Sequence, residues 1–346
     1  MISQSYQYKS LSQKRLEEIL DKISKTKITL IGDVCLDIYW KADMTKSELS
    51  RETPHFPLPV VEERMSPGAG GNVASNIKDL NVSDLEVISV IGDDWRGMAL
   101  KKEFERQGIS AGALMPCKEI ITNAYCKPLR HGISELIYED PRIDFCSYNP
   151  IPEKYELKLI EKLETAAENS DAVCVCDQFS IGCITEKVRE KISELGEKGL
   201  TIIADSRDRI NLFRNIIIKP NELEAGLAAF DDFSPDKASL DTYREAARIL
   251  SEYNDNKVCI TLGDRGSLFS KKGESTYITG IPTGGEIDIC GAGDSFLSAF
   301  TCALAVGAKG YEAMALANLA ASVTIKKIHT TGTASPAEIM SKYKEI

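Results

Sequence analysis

The second half of this chain repeats one pattern. Short apolar runs at Ala172–Cys176, Leu200–Ala204, Ile216–Ile218 and Lys257–Leu262 are separated by stretches with helical periodicity. Strands apolar on both faces that alternate with helices pack as a mostly parallel sheet with helices on both faces, an α/β architecture whose crevices open at the carboxyl ends of the strands. Polar residues stand at those ends: Asp177, Asp205, Asn221 with Glu224, and Gly263. Each alone can be a turn residue.

The stretch around which the chain is organised is Asp288-Ile-Cys-Gly-Ala-Gly-Asp-Ser-Phe296, which runs into the small apolar residues Leu297 to Val306. Gly291 and Gly293 permit a tight turn, and the run from Ala292 onward reads as a helix. Amides at a helix start, backed by the helix dipole, hold a phosphate or the charge that grows on one during transfer. Asp294 would repel such an anion. Its carboxylate suits a different task, taking the proton from a hydroxyl that attacks the phosphate. The same turn can also be a loop with an Asp or Ser helix cap.

In the first half, Leu11, Leu16, Ile19, Leu20 and Ile23 predict an amphipathic helix over 11–25. Lys27 to Asp33 then reads as a first buried parallel strand, with Asp33 and Asp37 just beyond its carboxyl end. From about Tyr39 to Met65 the texture turns polar and proline-rich, and Ile120 to Tyr148 alternates apolar and polar residues between breaks at Pro128, Gly132 and Pro141. Prolines at this density leave only edge strands or extended chain. The two segments, approximately 39–66 and 120–148, are expected to pair into a small sheet that covers the site and excludes water. Between them, Ser66-Pro-Gly-Ala-Gly-Gly-Asn-Val-Ala-Ser-Asn76 is a glycine-rich turn feeding a helix, either a tight connection or a ligand contact. It does not fit the G-x-G-x-x-G dinucleotide fingerprint, and the first strand is not followed by one, which removes a Rossmann oxidoreductase.

A length of 346 residues allows one large domain or two, and the whole chain is read as one. The net charge of −10 argues against a nucleic-acid or anionic-membrane surface. No run of about eighteen apolar residues and no leader pattern occur, so a cytoplasmic protein is expected. Ten cysteines are scattered without a C-x-x-C pair, and three histidines, His55, His131 and His329, offer no zinc set. Buried free thiols are expected.

Taken together, these motifs resemble the ribokinase-like (PfkB) family of ATP-dependent sugar kinases over essentially the full length. The resemblance rests on the Gly-Ala-Gly-Asp turn, Gly32-Asp-x-x-x-Asp37, the Asn72 turn, Lys219-Pro-Asn-Glu-Leu-Glu224 and Thr261-Leu-Gly-Asp-Arg-Gly266. It implies a ribokinase-like fold with a β-sheet lid and a homodimer formed through that lid. It implies Asp294 as the base, with Gly291, Ala292 and Gly293 around the transferring phosphoryl group. Asp37, Gly70, Gly71 and Asn72 would bind the sugar. Asn221, Glu224, Thr261, Gly263, Gly266 and Asn318 would line the ATP side. Glu224 would face Mg²⁺ through water, and Asp288 would help bind a monovalent cation, K⁺.

Within that family the chain resembles kinases of D-glycero-D-manno-heptose 7-phosphate that act on the anomeric hydroxyl. The text that carries this is Gly32 to Trp40, Thr53 to Val61, Pro67 to Asn76, and Arg142-Ile-Asp-Phe145, which makes Arg142 a substrate-binding candidate. Such kinases are often fused to a nucleotidyltransferase domain; a chain ending at residue 346 implies a stand-alone kinase. Two departures stand out. Cys290 replaces the usual Thr, and the lysines usual after the strands ending at Asp177 and Asp205 are absent, leaving Arg142, Arg207 and Arg209 to meet a substrate phosphate. Another sugar (ribose, fructose or fructose phosphate), a nucleoside, or a catalytically inactive sugar-binding role remain the alternatives.

Overall fold

The computed structural model describes residues 3–132, 137–328 and 330–346. Glu135 and Leu136 of the expected alternating segment, and His329, lie outside them.

In chain order the strands are β1 Ser3–Tyr6, β2 Lys27–Gly32, β3 Val34–Asp43, β4 Val60–Ala69, β5 Asp84–Gly92, β6 Leu114–Cys117, β7 Ala124–His131, β8 Tyr138–Glu139, β9 Ile143–Phe145, β10 Ala172–Asp177, β11 Ile202–Ser206, β12 Ile217–Ile218, β13 Val258–Thr261, β14 Gly266–Lys271 and β15 Glu274–Thr279. The helices are α1 Gln13–Ile23, α2 Gly70–Asp79, α3 Trp95–Arg106, α4 Glu153–Ala167, α5 Glu186–Glu197, α6 Glu222–Ala229, α7 Leu240–Asn254, α8 Ala292–Ala305, α9 Gly310–Thr324 and α10 Pro336–Glu345.

Ten strands form one sheet in the order β1-β15-β14-β13-β12-β11-β10-β2-β5-β6. Its pairs are parallel except at β13/β14 and β14/β15, where a hairpin reverses direction. This is the expected ribokinase-like α/β architecture. β10 shows why it needs helices on both sides: Cys174 and Cys176 enter the apolar core beneath α1, α2, α8 and α9, while Val173 and Val175 enter the one beneath α4, α5 and α7.

The run read as the first strand is the second in the chain. β1 precedes it and pairs in parallel with β15 at the sheet edge; four polar-rich residues gave no period to read. The expected strands at 200–204 and 216–218 begin later, at Ile202 and Ile217.

A second sheet is built from β4, β3, β7, β8 and β9. Its first segment starts at Val34, five residues before the expected 39, and ends at Ala69, beyond the expected 66. The reason is burial. Leu36, Ile38, Ala124 and Cys126 form an apolar face packed against the core and α3, so the base of this sheet has core-like composition and only its outer part is polar. No helix among the described residues is long and apolar enough to cross a membrane. Eight of the ten cysteines are buried free thiols; Cys146 is half-buried and Cys290 exposed.

Candidate active site

Two helix starts meet at the carboxyl edge of the large sheet. α8 begins at Ala292 after Gly291, whose φ of 80° is open to glycine at little cost. α2 begins at Gly70, where a side chain would collide with the Asp33 carbonyl at 2.6 Å. The helices are tied together by hydroxyls: Ser295 donates to Asn76 Oδ1 at 2.6 Å, and Ser298 reaches the Val73 carbonyl at 3.0 Å. This lock brings Asn72 Nδ2 to 2.6 Å from Asp294 Oδ2. Burial pushes the Asp294 carboxyl up to about 6; the Asn72 donor opposes that shift, as does Lys219, while the charges of Asp205 and Asp37 add to it. A carboxylate with that affinity for protons, beside helix-start amides, is fitted to act as a general base.

Residues paired across strands share a face. Asp37 is opposite Ser66 and Tyr125, and Tyr39 is opposite Arg64 and Lys127. The second sheet therefore turns a polar face away from its apolar one. On it, Lys127 Nζ lies 3.1 Å from Asp37 Oδ2 and 3.1 Å from the Tyr39 hydroxyl. Burial works against the Lys127 charge, but Asp37 and Tyr39 outweigh it and hold the ammonium protonated. Arg142 stacks over the Tyr125 ring at 4.1 Å and makes two bonds to Asp144, 2.6 and 2.7 Å.

On the other side of Asp294, Lys219 follows β12 and pairs with Asp205 at 3.5 Å, both buried. Asn221 and Glu224 cap the start of α6 reciprocally, with bonds of 2.9 and 2.8 Å. Burial, then Asp205, raises the Glu224 carboxyl to about 7. Thr261 bridges to Asn221, Gly263 begins a short turn, and Asn318 of α9 reaches the Ser267 hydroxyl at 3.4 Å. The residues expected to line a nucleotide thus lie near one another. Gly266 has a steric reason of its own, since a side chain there would meet the Ile278 carbonyl at 2.1 Å. Gly71 likewise is buried, its missing side chain being space taken by Pro67. Asp288 accepts from the Cys290 amide at 3.0 Å and donates its own N–H to the Ile325 carbonyl.

Two strand-end aspartates, Asp33 and Asp177, prove to be anchors. Asp33 accepts from the amides of Gln178, Phe179 and Cys183, which shapes the loop after β10. Asp177 binds Arg209, which also donates to the Phe179 and Ser180 carbonyls. Arg209 is therefore spent on that loop. Arg207 is exposed, makes no ion pair among the described residues, and its charge acts on both Tyr125 and Glu224. Lys127 and Lys219 were not singled out by sequence reasoning. Lys219 had a signal, a lysine directly after an apolar strand, whereas Lys127 depends on the register between two strands, β3 and β7.

The profile described as pfkB family carbohydrate kinase matches residues 25–338. Bifunctional protein HldE of Trichlorobacter lovleyi is 30% identical over 96% of this chain, and that of Hydrogenovibrio crunogenus 28% over 91%. The chain spans less than two thirds of those proteins, 65% and 62%. Among solved structures, Escherichia coli phosphofructokinase-2 in complex with fructose-6-phosphate superposes with a TM-score of 0.72 at 20% identity, covering 92% of this chain and 99% of that one. Arabidopsis thaliana ribokinase complexed with ribose and ATP gives 0.68 at 17%, with the same coverages. With the fold, the paired helix starts and a profile match over most of its length, this chain belongs to the pfkB family of carbohydrate kinases and is a phosphotransferase.

Proposed function

We propose that the protein transfers the γ-phosphate of ATP to the anomeric hydroxyl of D-glycero-D-manno-heptose 7-phosphate. The observation that carries a hydroxyl acceptor is the position of Asp294, in the first turn of α8 beside the Gly291–Gly293 amides and held by Asn72. In this reading Asp294 takes the hydroxyl proton as the oxygen attacks, while the Gly291, Ala292 and Gly293 amides stabilise charge on the transferring group. Asp37 and Asn72 orient sugar hydroxyls from opposite sides, with Gly70 and Gly71 supplying backbone at close approach. Asn221, Thr261, Gly263, Gly266 and Asn318 line the nucleotide.

The donor set suits a hydrated Mg²⁺. Asp205 is near enough for its charge to oppose ionisation of Glu224, yet no group of three potential metal-ligating side chains forms a direct cage among the described residues. Glu224 would hold the ion through water, and the ion would neutralise charge on the phosphates. Asp288, beside the α8 turn, would serve a monovalent cation. Arg207 and Arg142 are the cations left for the substrate's own phosphate. The lid also offers a surface for a homodimer: Phe56, Leu58, Val60 and Val61 are exposed apolar residues in one short segment.

The reading is tested by an ADP-coupled screen of sugars, sugar phosphates and nucleosides with MgATP. The heptose phosphate should be the best substrate, and Arg207→Ala should lower kcat/KM for it about 10- to 150-fold, the effect of one charge-assisted contact. A nucleoside or unphosphorylated sugar turning over faster would refute the substrate and leave the kinase assignment standing.

A further inference from the structure

Behind Asn72, on the side of α2 away from the sheet, lies a cleft of about 550 Å³. That volume falls within the range of small-molecule sites, roughly 300–1,000 Å³. Its walls come from β4, α2, the end of α3 and the chain from Thr330 to Thr333. Three cations, Arg64, Lys78 and Arg106, face one carboxylate, Asp79, on a protein whose net charge is −10. The Lys78 ammonium makes no hydrogen bond or ion pair among the described residues, and there the Arg106 guanidinium is held only at Nε, by Glu103 at 2.8 Å. The Ser66 hydroxyl on the opposite wall is buried without a partner among the described residues. Such a hydroxyl costs stability until something fills its hydrogen bond.

Cations alone would suit a carboxylate. Cations with several hydroxyls, here Ser66, Thr330 and Thr331, suit a group with more acceptor oxygens. Two connections join the cleft to the carboxylates of the active site. Asn72 lines its inner end and donates to Asp294. Arg64 bonds Thr330 at 3.1 Å and stacks over Tyr39 at 4.1 Å; the Tyr39 hydroxyl accepts from Lys127, which pairs with Asp37.

We propose that this cleft is a second anion site, for a phosphate-bearing small molecule, and that its occupancy alters turnover through Asn72 and through the Arg64–Tyr39–Lys127 chain. Differential binding to two arrangements of these residues is what such coupling requires. The coupling rests on the proposed roles of Asp294 and Asp37, whereas binding at the cleft does not.

Inorganic phosphate is titrated calorimetrically into the full chain saturated with Mg²⁺ and a non-hydrolysable ATP analogue, which fills the α8 anion site. Phosphate should bind wild type, and at least about tenfold more weakly in Lys78→Glu and Arg106→Glu, consistent with loss and reversal of one charge each. Both substitutions are at the surface, and unchanged thermal unfolding would show intact folds. No heat with the analogue present, or equal binding in both variants, overturns the site. In steady-state assays on whichever sugar is turned over, phosphate should shift KM or kcat of wild type and leave Lys78→Glu, with wild-type activity in its absence, unmoved. Binding at the cleft without any change in rate would overturn the coupling and keep the site.

Discussion

Asn72 and Asp294, 222 positions apart, are joined by a 2.6 Å hydrogen bond from the amide to the carboxylate. The donor favours the charged form of an acid that burial pushes toward protonation. Replacing Asn72 with Leu removes that donor, so the carboxyl should hold its proton above about 6. The acid limb of the kcat–pH profile then moves to higher pH, and the variant loses more activity at pH 6 than at pH 8. An unmoved limb would detach Asn72 from the base.

For Asp294→Asn we expect kcat to fall on the order of 10²–10⁴-fold with nucleotide binding retained, since the amide keeps the shape and cannot take a proton. Stability should change the other way. An acid whose pKa rises on folding, here to about 6, stabilises the fold when protonated and loses that contribution as pH rises through 6. The neutral amide escapes the loss. Denaturant melts should show the variant more stable than wild type at pH 8, by on the order of 1–3 kcal/mol, and the gap should close near pH 4.

Glu224 carries a similar sign. With its carboxyl raised to about 7, it is largely protonated at pH 6 and charged at pH 8. The Mg²⁺ concentration for half-maximal rate should therefore rise as pH falls through 7. In Glu224→Gln it should be high throughout and nearly flat with pH, with little change in sugar KM.

Ala69, immediately before the α2 start, has φ 51° and ψ −129°, a region nearly closed to residues with a side chain. Ala69→Gly should relieve about 1–3 kcal/mol of strain, less about 0.5–1 kcal/mol for the freer unfolded chain. A rise in Tm with unchanged activity is the expected result. A fall would mean that the methyl group packs usefully.

The parts of this molecule that sequence made legible are those with local signals. The buried strands β10, β11 and β13 and the α8 turn are each written in consecutive residues. Features decided by register or distance were not. The base of the second sheet looked like core because it packs as core. Asp33 showed in the sequence only its place at the end of a strand, and its oxygens are taken by three amides some 145 to 150 positions later. Lys127 reaches Asp37 only because β3 and β7 run in parallel at one alignment. Arg209 looked like a substitute for the missing lysines, but Asp177 claims it.

The ends of the ten-stranded sheet carry a last consequence. One edge is closed by β1, four residues long, and the other by β6, also four residues and interrupted by Pro116, which has no N–H to offer. Short or proline-bearing margins discourage molecules from joining sheet to sheet. That protection is unequal: β1 is a detachable cover over Glu274–Thr279, whereas the proline is built into the chain. Trimming the first ten residues would bare the outer edge of β15, which β14 pairs only from the other side, so the truncated chain is expected to aggregate more readily at high concentration although the change lies far from the chemistry.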